Sequence, residues 1–91
     1  METIFEVLWF ESVLKLGGYS ETKTKRIGLF KYREDAKEAG EKALAHRYRD
    51  FTTKVYSREG DRHGAGYVFR SNIGGYEEHR FSYRIDEVEL K

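Results

Sequence analysis

The sequence predicts an α+β fold in which one helix packs on one face of a five-stranded, mainly antiparallel sheet. Only one segment of the 91 residues has a helical apolar period, and strand-like segments precede and follow it. The predicted order is therefore β-β-α-β-β-β, and short connections favour antiparallel neighbours. A chain of this length forms one domain, so we assign residues 1–91 to a single α+β domain.

The first predicted strand runs from Glu2 to about Val13 and is apolar on both faces. Alternate residues form the two faces: Phe5, Val7 and Trp9 on one, and Ile4, Leu8 and Phe10 on the other. One helix can cover only one of these faces. The other face must be buried by a strongly curled sheet, by a second copy or by a partner.

A polar connection from Lys15 to Arg26 follows the first strand. It contains Gly17-Gly18 and several basic residues, and it predicts either a hairpin loop with extended ends or a mobile flap. The residues from Ile27 to Phe30 then form a short second strand.

The helix is predicted from Tyr32 to about Arg49. Its apolar side follows a 3.6-residue period and is built mostly from small residues: Ala36, Ala39, Gly40, Ala43 and Leu44. A glycine inside a helix costs on the order of 1 kcal/mol relative to alanine. We therefore expect the helix to approach the sheet closely at Gly40.

Three more strands follow the helix. Thr52–Ser57 is the predicted third strand, Arg58–Gly66 a glycine-rich turn, and Gly66–Ser71 the fourth strand. A tight connection at 72–75 leads to the fifth strand, from Glu77 to about Leu90. Its apolar phase changes at Asp86-Glu87, which predicts a bulge or a change of sheet face.

The composition limits the classes of function and the compartment. A net charge of +1 gives no overall attraction to nucleic acid or to a membrane. The chain has no cysteine, no apolar run near the ~18 residues of a membrane span, and no basic region typical of a secretory signal at its start. We therefore expect a cytoplasmic protein.

No catalytic, cofactor or metal site is predicted. The glycines at 60, 64 and 66 lead into a strand rather than a helix, which favours a hairpin turn over a phosphate-binding loop. The three histidines, at 46, 63 and 79, have no ligand spacing, although Asp61 and His63 are near each other. No serine has a neighbouring base pattern, so we expect binding rather than catalysis.

Basic residues suggest where a partner would bind. Arg80 and Arg84 should face away from the helix, with Arg70 beside them, and Lys54 and Tyr56 extend this surface. Arginines interleaved with tyrosine suit phosphates or an acidic protein; alternatively, they pair with Glu78 or other acids across strands. The predicted partner-binding residues are Lys23, Lys25, Arg26, Tyr56, Arg70, Arg80 and Arg84.

Two segments resemble a group of small bacterial and phage proteins of uncharacterised function. Residues 28–39 carry a G-x-F-x-x-x-E-x-A-x-x-A junction between strand and helix, and residues 83–90 form a terminal strand that ends in an alternation of acidic and aliphatic side chains. These proteins usually carry Ser or Thr where this chain has Tyr32. The resemblance implies a small sheet-plus-helix fold and assigns no functional residue.

These observations predict a small non-catalytic binding protein, a protein-interaction or inhibitor module of bacterial or phage type. Its expected partner is another protein or a second copy in a homodimer. The alternative is a nucleic-acid-associated protein that binds weakly through the basic loop and the arginine-bearing sheet face. We expect no cofactor, no metal and no membrane partner.

Overall fold

The chain folds into one antiparallel sheet with a helix on one side. The computed structural model describes residues 2–15, 17–18, 20–53, 59–62, 65–71 and 77–90. The elements are β1 (Glu2–Lys15), β2 (Ser20–Phe30), α1 (Arg33–Thr53), β3 (Glu59–Arg62), β4 (Gly66–Ser71) and β5 (Glu77–Leu90). The strand order is β2-β1-β5-β4-β3, with antiparallel neighbours throughout. The predicted α+β class is confirmed.

The connection predicted between Lys15 and Arg26 is mostly strand. β2 begins at Ser20 and pairs with β1 as far as Leu14, so the extended-hairpin alternative is the observed one. Gly17 and Gly18 turn the chain with φ of 100° and 82°, a region that glycine adopts without strain. Polar side chains suit β2 because it lies at an edge of the sheet and is largely exposed.

The predicted position of the third strand is wrong. α1 continues to Thr53, and the third strand lies at Glu59–Arg62, inside the predicted turn. Tertiary packing explains the longer helix, because the buried ring of Phe51 stacks on Phe69 with centroids 4.9 Å apart. The rest of the predicted strand and the connection at 72–75 lie outside the described residues.

Of the two alternatives predicted at Asp86-Glu87, the change of sheet face is the observed one and the bulge is not. Asp86 and Glu87 pair in unbroken register with Glu6 and Phe5 of β1. The apolar phase instead changes sheet face, since Val88 lies beside Ile4 on the face away from the helix. A register shift does occur nearby, but it lies in the pairing of β1 with β2, between Val7 and Leu8.

The core lies between α1 and one face of the sheet. Val7, Leu44 and Phe81 are its largest fully buried side chains, and Trp9, Phe69 and Tyr83 belong to the same cluster. The side of α1 that carries small residues packs closely on the sheet. A Cβ added at Gly40 would lie only 2.4 Å from Tyr83 Cδ2. This contact explains the glycine in the helix interior.

The helix crosses the sheet obliquely. Near its start, the Arg33 guanidinium lies 5.1 Å from the Phe5 ring on β1. Near its end, Tyr48 and Phe51 contact Phe69 on β4. The later part of α1 therefore lies away from the β1–β2 hairpin, so α1 does not cover the turn end of the hairpin on the helix side.

Candidate functional site

Strand alternation divides the predicted partner-binding residues between the two faces of the sheet. Lys23 and Lys25 pair in register with Glu11 and Trp9, so they lie on the helix side. The predicted arginines at 26, 70, 80 and 84 belong to the opposite face, which we call the open face. Tyr56 and Lys54 lie outside the described residues. The predicted set therefore forms two separate surfaces.

The arginines of the open face are engaged by acids. Glu78 Oε1 accepts hydrogen bonds from Arg70 Nε and Arg80 Nη2, both at 3.2 Å. The Glu78 side chain is only 8% exposed, so the two arginines balance a buried charge. This pairing is what the sequence suggested as the alternative to a free basic platform.

The remaining arginines of the open face are also paired. Both oxygens of Asp86 accept hydrogen bonds from Arg84, at 2.8 and 2.9 Å. The hydrogen bond to Asp86, and then its charge, raise the pKa of Arg84 above its ordinary value. Arg26 Nη1 lies 3.6 Å from Glu6 Oε2. The open face is thus close to electrically balanced among the described residues.

An apolar row runs along the open face of β1 and β5. Ile4, Leu8 and Phe10 are half-buried, and Val88 lies beside Ile4. The Arg84 guanidinium stands 5.1 Å from the Phe10 ring and shields part of it. β2 and β3 are the outer strands among the described residues, and no described strand closes the sheet over this face.

A shallow hollow of about 270 Å³ interrupts the open face next to Phe10. It lies where Gly66 pairs with Ser82, two positions with little or no side chain. A Cβ at Gly66 would meet the Phe81 carbonyl oxygen at 2.6 Å, so glycine is required there. Val68 and Arg80, the next pair on this face of the same two strands, also line the hollow.

A larger cleft of about 950 Å³ lies on the helix side, where α1 leaves the hairpin uncovered. Trp9 and Ile27 of the sheet and Ala43 of the helix give it an apolar lining. Its charged and polar lining residues are Glu11, Lys23, Thr24, Lys25, Arg26, His46, Arg47 and Asp50.

The acids of the cleft are held by one arginine. Arg47 donates to both oxygens of Glu11, from Nε at 2.7 Å and from Nη2 at 3.3 Å. Its Nη1 also reaches Asp50 at 3.5 Å. The Arg47–Glu11 pair joins α1 to β1 across the cleft wall and leaves the lysines of β2 outside this network.

The histidines do not form a metal site in the part of the chain that is described. His46 lines the cleft, and His79 Nε2 lies 3.0 Å from Glu77 Oε1, while His63 is outside the described residues. No group of three or more potential metal ligands occurs among the described residues. The described helix is also too polar to span a membrane.

Sequence reasoning missed the cleft and the central position of Glu78. The alternation of Thr22 and Thr24 with Lys23 and Lys25 is a strand-like signal within the polar connection, for which the sequence predicts either a hairpin loop with extended ends or a mobile flap. The direction in which α1 crosses the sheet depends on aromatic packing at its end, and no local pattern encodes it.

Comparisons with protein-family models, with curated proteins and with solved structures found no match for this chain.

Proposed function

We propose that this chain is a small non-catalytic binding protein whose open face is a protein-interaction surface, and that its occupant there is a second copy of the chain. The apolar row formed by Ile4, Leu8, Phe10 and Val88 supports this function most strongly, because no described element covers it. Leu29, on the neighbouring strand β2, adds to it and is 47% exposed.

The dimensions of the face suit a stable interface. The molecule extends 53 × 25 × 17 Å, and β1 and β5, with 14 residues each, run about 46 Å along the open face. A standard interface buries roughly 800 Å² on each partner, which corresponds to a strip of this length about 17 Å wide. Two sheets packed face to face about 10 Å apart would bury the apolar rows of both copies.

The electrostatics of the face favour a copy over a strongly charged partner. The arginines at 70, 80 and 84 are paired with acids of their own chain, so the face carries little net charge to repel itself. The hollow beside Phe10 offers space for a protruding side chain. A two-fold arrangement requires a self-complementary surface of this kind.

Sedimentation velocity over a wide concentration range tests the proposal. We expect the parent protein to dimerise and Leu8→Lys to be monomeric, because the lysine would place a charge within the apolar row. Ala45→Lys adds the same charge on an exposed helix position and should leave the dimer intact. Circular dichroism checks that both variants keep the fold.

A parent protein that remains monomeric at every concentration would refute the homodimer. A Leu8→Lys variant that still dimerises while folded would place the interface elsewhere. Nucleic-acid binding stays the second hypothesis, and the acid partners of the open-face arginines weigh against it.

A further inference from the structure

We propose that the cleft between α1 and β2 binds an extended acidic peptide segment of a partner protein. This site lies on the opposite side of the sheet from the proposed dimer face, and neither proposal depends on the other. Its chemistry comes from two lysines, an apolar floor and a free strand edge, all at the end of the hairpin that α1 leaves uncovered.

The lysines of this cleft are available to a ligand. Lys25 forms no ion pair or hydrogen bond with another described residue. Among the described residues Lys23 forms an ion pair only with Glu21, at 3.9 Å, and both of these side chains are more than half exposed. Glu11, which lies opposite Lys23 in register, and Asp50 are both held by Arg47, which offsets part of their charge.

The spacing of the lysines matches an extended peptide. Lys23 and Lys25 are two residues apart on one face of β2, so their Cα atoms are about 7 Å apart. An extended peptide repeats its same-side residues at the same distance. Acids at alternate positions would therefore meet both lysines, whereas adjacent acids would point to opposite sides.

The apolar floor adds a third position to this pattern. Ile27 follows Lys25 along β2, and Trp9 and Ala43 lie against the same part of the cleft. A ligand with an apolar side chain two positions beyond the second acid would contact these residues. The recognised pattern is acid-x-acid-x-apolar, read in either chain direction, over about 13 Å of strand.

A peptide fits this cleft better than a nucleic acid does. The cleft offers two neighbouring lysines, which match two acids of a peptide but are few for a continuous row of phosphates. β2 is also an edge strand, which offers unpaired backbone groups to an extended peptide.

Intrinsic fluorescence provides a site-specific assay, because Trp9 is the only tryptophan and it lines the cleft. The probe is a synthetic capped peptide, Glu-Ser-Glu-Ser-Leu, used together with its reversed sequence. We expect at least one of the two to change Trp9 emission, with affinity that falls as salt rises. The matched peptide Gln-Ser-Gln-Ser-Leu should bind at least about tenfold more weakly.

Charge-removing variants locate the site. Lys23→Gln and Lys25→Gln should each lower the affinity for the peptide about two- to fivefold, which is the range for exposed ion pairs. The double variant should lower it about tenfold. Lys37→Gln removes an exposed lysine of α1 and should change nothing. The Leu8→Lys variant should retain peptide binding even where it abolishes the dimer.

The proposal is overturned if neither peptide changes Trp9 emission, or if the glutamine peptide binds equally well. It is also overturned if the double lysine variant binds as the parent does. Single-stranded DNA that displaces the peptide at physiological salt, and binds more tightly than it, would identify a nucleic-acid site instead.

Discussion

Gly40→Ala should destabilise the protein although alanine is the better helix former. In the helix interior, alanine is favoured over glycine by about 1 kcal/mol. Against this, the new methyl group would lie 2.4, 2.6 and 2.7 Å from three ring atoms of Tyr83. The ring has little freedom to move, because it is buried and its hydroxyl donates to Glu41 at 3.1 Å. Overpacking costs about 1–3 kcal/mol, and a ring held at both ends favours the upper value.

The expected net effect is a loss of about 2 kcal/mol in the free energy of unfolding, measured by urea denaturation at unchanged m value. In a Tyr83→Val background the same substitution should stabilise by about 1 kcal/mol, because the ring is gone. Ala45→Gly, at an exposed position of α1, controls for helix propensity alone and should cost about 1 kcal/mol. A stabilising osmolyte keeps the Tyr83→Val proteins folded if they are marginal.

A Gly40→Ala variant at least as stable as the parent would show that α1 and β5 are not in close contact. An equal effect in both backgrounds would assign the change to something other than the Tyr83 ring.

Two further predictions concern the core and nucleic acid. Leu44→Ala should cost about 2–5 kcal/mol through lost burial and a cavity, since Leu44 is 1% exposed; an unchanged thermal melt would contradict this core. Nucleic-acid binding should be weak and should fall steeply with salt, because the open-face arginines are paired with acids. Tight, sequence-selective binding at physiological salt that is lost in Arg80→Ala would contradict it.

The sequence predicts the faces of this molecule better than the ends of its elements. Period-two alternation places Phe5 and Trp9 on the helix side and Leu8 on the open side, as observed, because side-chain direction in a strand is a local property. The small side of α1 and the close approach at Gly40 are also predicted correctly. These features depend only on residues close in sequence, within one helical turn or one strand.

The ends of elements depend on distant contacts. α1 extends past its predicted end because Phe51 reaches Phe69 and Phe81, residues far along the chain. β2 extends through a polar segment because β1 continues beside it to Lys15 and provides a pairing partner. The cleft follows from both extensions, so it could not be predicted from local patterns.

The position of β1 explains why the open face is a candidate surface. β1 lies between β2 and β5, and both of its faces are apolar, but α1 covers only one. At roughly 25 cal/mol per Å², leaving even ~150 Å² of apolar surface in water costs about 4 kcal/mol, comparable with the net stability of a small domain. Arg84 shields only part of Phe10, so the open face still gains from a second copy.

The helix-side cleft has a different origin, since it arises from the oblique path of α1 and not from excess apolar surface. Leu8 and Trp9 are adjacent in sequence yet belong to opposite surfaces. A charge at Leu8 should therefore affect association without changing peptide-induced emission from Trp9, and loss of the β2 lysines should do the reverse. If either change altered both properties, the two faces of β1 would not act as separate surfaces.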